Sequence, residues 1–98
     1  MKVAQDIILR PVITEASMQN VHMNKYTFVV DKRANKIEIA KAVEELFSGT
    51  RVLKVNTMHV RGKKKRLGKN EGYRPDWKKA IVTLDPKGKG IEFFESMV

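Results

Sequence analysis

"RVLKVNTMHVRGKKKRLGKNEGYRPDWKKAIVTL", residues 51–84, decides the fold of this chain. Its two ends, 51–60 and 78–84, are rich in β-branched residues, which favour strands. If the two strands pair antiparallel, residues 62–77 become the tip of a long hairpin, and its glycines let the backbone bend. Two extended legs of about eight residues, at roughly 3.3 Å each, reach about 25 Å. The pattern therefore predicts an arm that projects from a sheet.

The remaining sequence predicts two helices and another strand around this hairpin. Residues 24–30 alternate Tyr26, Phe28 and Val30 on one face, which indicates a strand. Residues 35–47 have helical apolar spacing and begin with a capping box, Asn35 with Glu38 three residues later. A short helix over 14–21 follows an extended Arg10-Pro11 step, with Thr14 as N-cap. The tail from Ile91 carries two further phenylalanines and is expected to pack back as a strand or a short turn.

These elements give an α+β fold with a single domain over residues 1–98. An antiparallel three- to four-stranded sheet packs with helices and carries a long extended β-hairpin loop, and the basic hairpin extension covers 61–79. A chain of 98 residues builds one compact core, so a second domain and a large enzymatic cleft are not expected.

The sequence offers no catalytic or cofactor-binding pattern. There are no cysteines, and the two histidines, His22 and His59, have no metal-ligand neighbours at suitable spacing. No phosphate-binding or dinucleotide loop occurs, and no nucleophile stands beside a base. The apolar runs are also too short to span a bilayer. We therefore predict a cytoplasmic protein that is not an enzyme and has no cofactor, no bound metal and no membrane anchor.

Positive charge is concentrated in the predicted arm. The chain has 20 Lys and Arg against 11 Asp and Glu, a net charge of +9. Residues 61–79 hold nine basic and two acidic side chains, which gives this segment +7 of the total. Such a segment favours a polyanionic partner, and its cations are suited to backbone phosphates. The predicted phosphate contacts are Arg61, Lys63, Lys64, Lys65, Arg66, Lys69, Arg74, Lys78 and Lys79.

Two aromatic side chains interrupt this basic run. Tyr73 and Trp77 are candidates for stacking on unpaired bases, which is typical of RNA recognition. Trp77 has a second interpretation, because an aromatic residue at the base of a hairpin often packs across to the partner strand. The sequence leaves both open for Trp77. Solvation of a charged surface requires neither aromatic residue, so their presence favours RNA binding over a merely solvated charge run.

The order of these segments resembles the bacterial form of the L23 family of large-ribosomal-subunit proteins. The resemblance runs from about residue 8 to about residue 94, and it rests on "LRPVITEAS", "YTFVV", "NKIEIAKAVEELF", "VLKVNTMHVRGKKKR" and "RPDWKKAIVTL". It implies binding to large-subunit rRNA beside the peptide exit tunnel, next to neighbouring large-subunit ribosomal proteins. It also implies that the hairpin tip, about Leu67 to Tyr73, reaches the tunnel and the nascent chain.

The same resemblance gives a role to an acidic residue that is otherwise ordinary. Glu15 lies in the first turn of a predicted helix, where a negative charge suits the helix dipole. In the family, a glutamate at this place after a proline docks trigger factor and the signal recognition particle. Here "VITEAS" keeps the acid and a preceding hydroxyl at Thr14, whereas Ala16 replaces the usual lysine.

A second functional hypothesis is a free-standing basic RNA- or DNA-binding module that is not associated with ribosomes. The chain shows no helix-turn-helix pattern and no helix rich in base-reading side chains, so major-groove recognition has little support. Co-sedimentation with ribosomes separates this hypothesis from the ribosomal one.

Overall fold

The structure is a computed structural model that describes residues 3–62, 64–67, 70–73 and 76–91, with 64–67 and 70–73 described in their backbone. The helices are α1 (Ala4–Ile7), α2 (Glu15–Val21) and α3 (Lys36–Leu46). The strands are β1 (Ile8–Pro11), β2 (Lys25–Val30), β3 (Val52–Val60), β4 (Lys64–Leu67), β5 (Asn70–Tyr73) and β6 (Trp77–Leu84).

Four strands form one antiparallel sheet in the order β1-β2-β6-β3, which confirms the predicted α+β fold. Strands β4 and β5 pair with each other and form the described part of the arm. The last pair of the main sheet on this side is Val60 with Trp77, and four residues further along each strand Lys64 pairs with Tyr73. The arm therefore continues the β3–β6 hairpin in the same register.

The core lies on one face of the sheet, against α1 and α3. The fully buried side chains there include Tyr26, Phe28 and Val30 of β2 and Ile39 and Val43 of α3. The ring of Phe28 also stacks on that of Phe47, with centroids 5.9 Å apart. Aromatic pairs of this kind contribute about 0.5–1.5 kcal/mol beyond their area burial.

Local sequence signals set both ends of α3. The Asn35 side chain accepts a hydrogen bond from the Glu38 N–H, and the Glu38 carboxylate accepts one from the Asn35 N–H, so the predicted capping box is confirmed. After the helix, Gly49 has a φ of +85°, a conformation that favours glycine. The apolar face of α3 buries Ile39, Ala42 and Val43, and Ala40 is half-buried.

The two terminal segments of the described chain differ in how well the sequence predicted them. Helix α1 is a single turn that buries Ala4 and Ile7, and no side chain caps its N-terminus. A turn of four residues is too short to show helical periodicity. At the other end Ile91 is buried in the core, as expected for the start of the tail, whereas Phe93 and Phe94 lie outside the described residues.

Candidate nucleic-acid interface

Successive residues of β6 alternate between the core and the opposite, outer face of the sheet. Lys78, Ala80, Val82 and Leu84 are buried, while the residues between them are half-buried. Because side chains alternate along a strand, the two neighbouring lysines point to opposite faces. Lys78 faces the core, and Lys79 lies on the outer face. One strand thus supplies a cation to each side of the sheet.

The Lys78 side chain has a structural contact. It is 8% exposed, and its Nζ donates a hydrogen bond of 2.6 Å to the carbonyl oxygen of Ala34, just before α3. Buried ammonium groups require such partners, because desolvation of an unpaired charge is costly. The position assigns Lys78 to holding the β2–α3 connection against the sheet. The sequence instead predicts a phosphate contact for Lys78, and substitution at positions 78 and 79 separates these two assignments.

The outer face is basic along its length. Directly paired residues share a face, so the pairing places Lys79 in a row with Met58, Val29 and Arg10. Four residues further along β6, Thr83 lies between Lys54 and Lys25. The register gives this face twelve positions in the four strands. Their ionisable side chains are all cations: Arg10, Lys25, Lys54 and Lys79.

The spacing of these four cations follows from sheet geometry. Lys79 and Arg10 are two inter-strand steps apart, as are Lys54 and Lys25, which is about 10 Å in each case. The two rows are four residues apart, or about 13 Å. Arg10 and Lys54 are exposed, and Lys25 and Lys79 are half-buried. The face therefore presents four separated positive charges, an arrangement that suits the phosphates of a polyanion.

The arm carries most of the cations that the sequence predicts to contact phosphates. Arg61, directly after β3, is exposed. The predicted residues Lys64, Lys65 and Arg66 lie on β4 and Tyr73 lies on β5, all described in their backbone only. Lys63, Lys69 and Arg74 lie outside the described residues. The structure thus connects the two legs of the arm to the two strands that carry Lys54 and Lys79.

Trp77 stands at the junction of the outer face and the arm. It is half-buried, and its backbone pairs with Val60 across the β3–β6 ladder, so both interpretations of Trp77 stay predictions. The same residue lines an open cleft of about 380 Å³ together with Arg33 and three carboxylates, those of Asp6, Asp31 and Asp76. Because the indole is half-buried, part of it stays accessible to a ligand.

The candidate docking residue Glu15 is exposed at the first position of α2. Thr14 is the N-cap, as predicted, and Ser17 completes a capping box in which each side chain binds the other's backbone N–H. The Ser17 hydroxyl also donates a 2.7 Å hydrogen bond to the Val12 carbonyl. This network turns the chain from β1 into α2 and directs Glu15 outward. Since α2 follows edge strand β1, Glu15 lies on the side of the sheet away from edge strand β3.

Several residues of the outer face were missed by sequence reasoning. Arg10, Lys25 and Lys54 are single cations far apart along the chain, and only strand pairing brings them onto one face. Strand periodicity could have placed Lys54 and Lys79 each on one side of its own strand. The register that sets them side by side is a tertiary property.

The described residues contain no group of three or more His, Cys, Asp or Glu side chains that could hold a metal ion. Within the same residues, no helix is long and apolar enough to cross a membrane.

Comparison with known proteins shows similarity over nearly the whole chain. A family model described as ribosomal protein L23 matches residues 6–93. The large ribosomal subunit protein uL23 of Caldanaerobacter subterraneus subsp. tengcongensis is 64% identical over 94 residues, covering 96% of this chain and 97% of that protein. The uL23 proteins of Caldicellulosiruptor saccharolyticus and Ligilactobacillus salivarius are 58% and 54% identical, covering 96% and 94% of this chain and 97% of each relative.

Proposed function

Because the chain belongs to the ribosomal protein L23 family, and is therefore a structural constituent of the large subunit of the cytoplasmic ribosome, we propose that it binds large-subunit rRNA through one continuous basic surface. This surface consists of the outer sheet face and the arm. The observation that carries the proposal is the shared register of β3–β6 and β4–β5, which places the arm in line of sequence with the two strands that carry Lys54 and Lys79.

The outer face contributes to RNA binding through the attraction between its cations and RNA phosphates. Four cations and no carboxylate occupy its strand positions, so phosphates over these positions are attracted. Three carboxylates, Asp6, Asp31 and Asp76, line the cleft at the Trp77 end of the face and oppose phosphates there. The core face, by contrast, is covered by α1 and α3. RNA therefore binds on the side of the sheet opposite the helices.

The arm supplies reach and base contacts. Its cations neutralise phosphates, while Tyr73 and Trp77, both in the second leg, stack on unpaired bases. The segment from Leu67 to Tyr73 lines the peptide exit tunnel and meets the nascent chain. Neighbouring large-subunit proteins contact the surfaces that RNA leaves uncovered.

Glu15 serves a different partner on another side of the molecule. It is an exposed acid, fixed by the Thr14–Ser17 capping box, on a protein whose net charge is +9. A carboxylate held outward on the side away from β3 is available to cations of trigger factor and the signal recognition particle while the basic surface holds RNA. Residue 16 is an alanine and supplies no charge beside Glu15, so the proposed contact depends on the Glu15 carboxylate.

Salt-dependent binding tests the RNA interface. The purified chain is titrated with large-subunit rRNA fragments, and with duplex DNA of equal charge, over a salt series. Replacing Lys79 or Arg61 by alanine should make the negative slope of log K against log salt shallower by about 0.7–1 each. Lys36→Ala on α3 is the matched control, since it removes an exposed cation on the helical side. Equal slopes for Lys79→Ala and Lys36→Ala would contradict the outer-face interface.

Two further measurements separate the remaining hypotheses. Co-sedimentation with large subunits, together with preference for one rRNA region, supports the ribosomal role, whereas equal binding to every polyanion supports a free-standing basic RNA- or DNA-binding module. On assembled ribosomes, Glu15→Gln should weaken binding of trigger factor and the signal recognition particle. Glu45→Gln, an exposed acid on α3, should leave it unchanged.

A further inference from the structure

A side-chain hydrogen bond joins the two legs of the arm at the neck, where they leave the main sheet. The described pairs of β3 and β6 extend to Val60 and Trp77, and those of β4 and β5 begin at Lys64 and Tyr73. In between, the Asp76 Oδ1 accepts a hydrogen bond of 2.7 Å from the backbone N–H of Gly62. The two residues are 14 positions apart in sequence and belong to opposite legs. The bond therefore ties the two legs together between the main sheet and the paired strands β4 and β5.

The sequence at the neck explains why a side chain is needed there. Residue 75 is a proline, which has no N–H to donate to a ladder. Gly62, in the other leg, has the greatest backbone freedom of any residue type. A ladder that contains both is weaker at this point than on either side. An acceptor from Asp76 gives the Gly62 N–H a partner and restricts the leg that is otherwise free to bend.

The charge of Asp76 argues that it has a role other than direct RNA contact. It is one of two acids in a segment of net charge +7, so it opposes the approach of phosphates. Electrostatics alone predicts that its removal strengthens RNA binding. A carboxylate at the base of a phosphate-binding arm is explained if its hydrogen bond contributes more to the free energy of RNA binding than its negative charge costs.

We propose that Asp76 is a positioning residue, which holds the arm in line with the sheet so that the cations of the arm and of the outer face meet one RNA surface together. This inference rests on the proposed rRNA binding. When one of two connected sites has bound an RNA, the second site meets the same RNA at a high effective concentration if the spacing of the two sites is fixed. A loose connection between the sites lowers that effective concentration. Without the Gly62–Asp76 bond the arm swings about the neck, and the two groups of cations act more independently.

Two variants at the same position test the proposal at equal charge. Asp76→Asn and Asp76→Ala both remove one negative charge, but only asparagine keeps an acceptor oxygen for the Gly62 N–H. We expect Asp76→Asn to bind rRNA as tightly as the original chain or more tightly. Asp76→Ala should bind about fivefold more weakly than Asp76→Asn, the loss typical of one hydrogen bond between uncharged groups. Urea unfolding of both variants shows that the sheet itself remains folded.

Asp85→Ala provides the matched control at the other end of β6. The Asp85 carboxylate also accepts a backbone hydrogen bond, of 2.9 Å, from the N–H of Lys87. Asp85→Ala therefore removes one negative charge and one hydrogen bond to a backbone N–H, as Asp76→Ala does. This variant should bind rRNA at least as tightly as the original chain. A loss equal to that of Asp76→Ala would mean that any turn-forming aspartate has this effect, and it would overturn the positioning role.

A double-mutant cycle gives a readout that a merely structural role would not move. In the original chain, the losses caused by Arg66→Ala on the arm and Lys79→Ala on the outer face should be coupled. In the Asp76→Ala background they should become additive, and amide residual dipolar couplings of β4 and β5 should report a changed orientation relative to β6. Equal rRNA affinity of the alanine and asparagine variants would overturn the positioning role alone. Salt-independent or absent rRNA binding by every variant would overturn the proposed function and this role with it.

Discussion

The neighbouring lysines of β6 should respond to substitution in opposite ways. Lys78 is buried and donates to the Ala34 carbonyl, whereas Lys79 lies on the outer face among cations. Replacing Lys78 by methionine keeps most of the stem and removes the ammonium. Loss of one hydrogen bond from a charged donor costs about 2 kcal/mol of unfolding free energy. Lys78→Ala also removes three stem methylenes at about 0.8 kcal/mol each, so its total cost is about 4 kcal/mol.

The same substitutions at position 79 provide the comparison. Lys79→Met and Lys79→Ala should change the unfolding free energy by less than about 0.5 kcal/mol, as is usual for surface positions. They should nevertheless lower the salt dependence of rRNA binding, which Lys78→Met leaves unchanged. The two residues are adjacent in sequence, so position along the chain, residue type and formal charge are all matched.

Equilibrium urea unfolding is the assay for stability, followed through the fluorescence of Trp77, the single tryptophan of the chain. In thermal unfolding, a loss of about 2 kcal/mol corresponds to a midpoint lower by roughly 8–16 °C. If Lys78→Met were as stable as Lys79→Met, or if it lowered the salt slope as Lys79→Met does, the assignment of the two faces would be refuted.

Three further predictions concern the local structures that hold the fold. Asn35→Ala should cost about 1 kcal/mol of unfolding free energy through loss of the N-cap, measured by urea unfolding; an unchanged midpoint would contradict the capping box. Gly49→Ala should cost about 1–2 kcal/mol, because φ is +85° and an added Cβ would lie 2.8 Å from the Lys89 Cδ. Gly49→Asn, which tolerates this conformation better, should cost less in the same assay. Ser17→Ala should cost about 2 kcal/mol, because its buried hydroxyl both donates and accepts, while exposed Ser48→Ala should be neutral in thermal unfolding.

Much of the fold was readable from sequence because its signals are local. The alternation of Tyr26, Phe28 and Val30, the Asn35–Glu38 capping box and the glycine after α3 each depend on residues within a few positions of one another. The strands on either side of the basic segment were also correct in type, and their antiparallel pairing is confirmed. Helix α1 was missed since one turn buries only two residues and has no capping side chain.

The candidate site was harder to read, because its members are joined by register. Lys78 and Lys79 look alike in a list of charges, and only the pleat of β6 separates them. Asp76 was counted as an acid that lowers the charge of the arm, whereas its carboxylate binds Gly62 across the neck. The Thr14–Ser17 capping box was half visible, since serine there replaces the usual glutamate or glutamine.

The common register of the main sheet and the arm also restricts how the chain can change in length. Insertion or deletion of one residue in each leg preserves the pairing of Val60 with Trp77 and leaves every side chain on its face. A change in one leg alone has to be absorbed at the turn or as a β-bulge. If it were transmitted into β6 instead, it would exchange the positions of Lys78 and Lys79 and turn the core-facing residues toward RNA. Arms of different length in related chains should therefore differ by even numbers of residues, and an odd difference should mark a bulge or an altered turn.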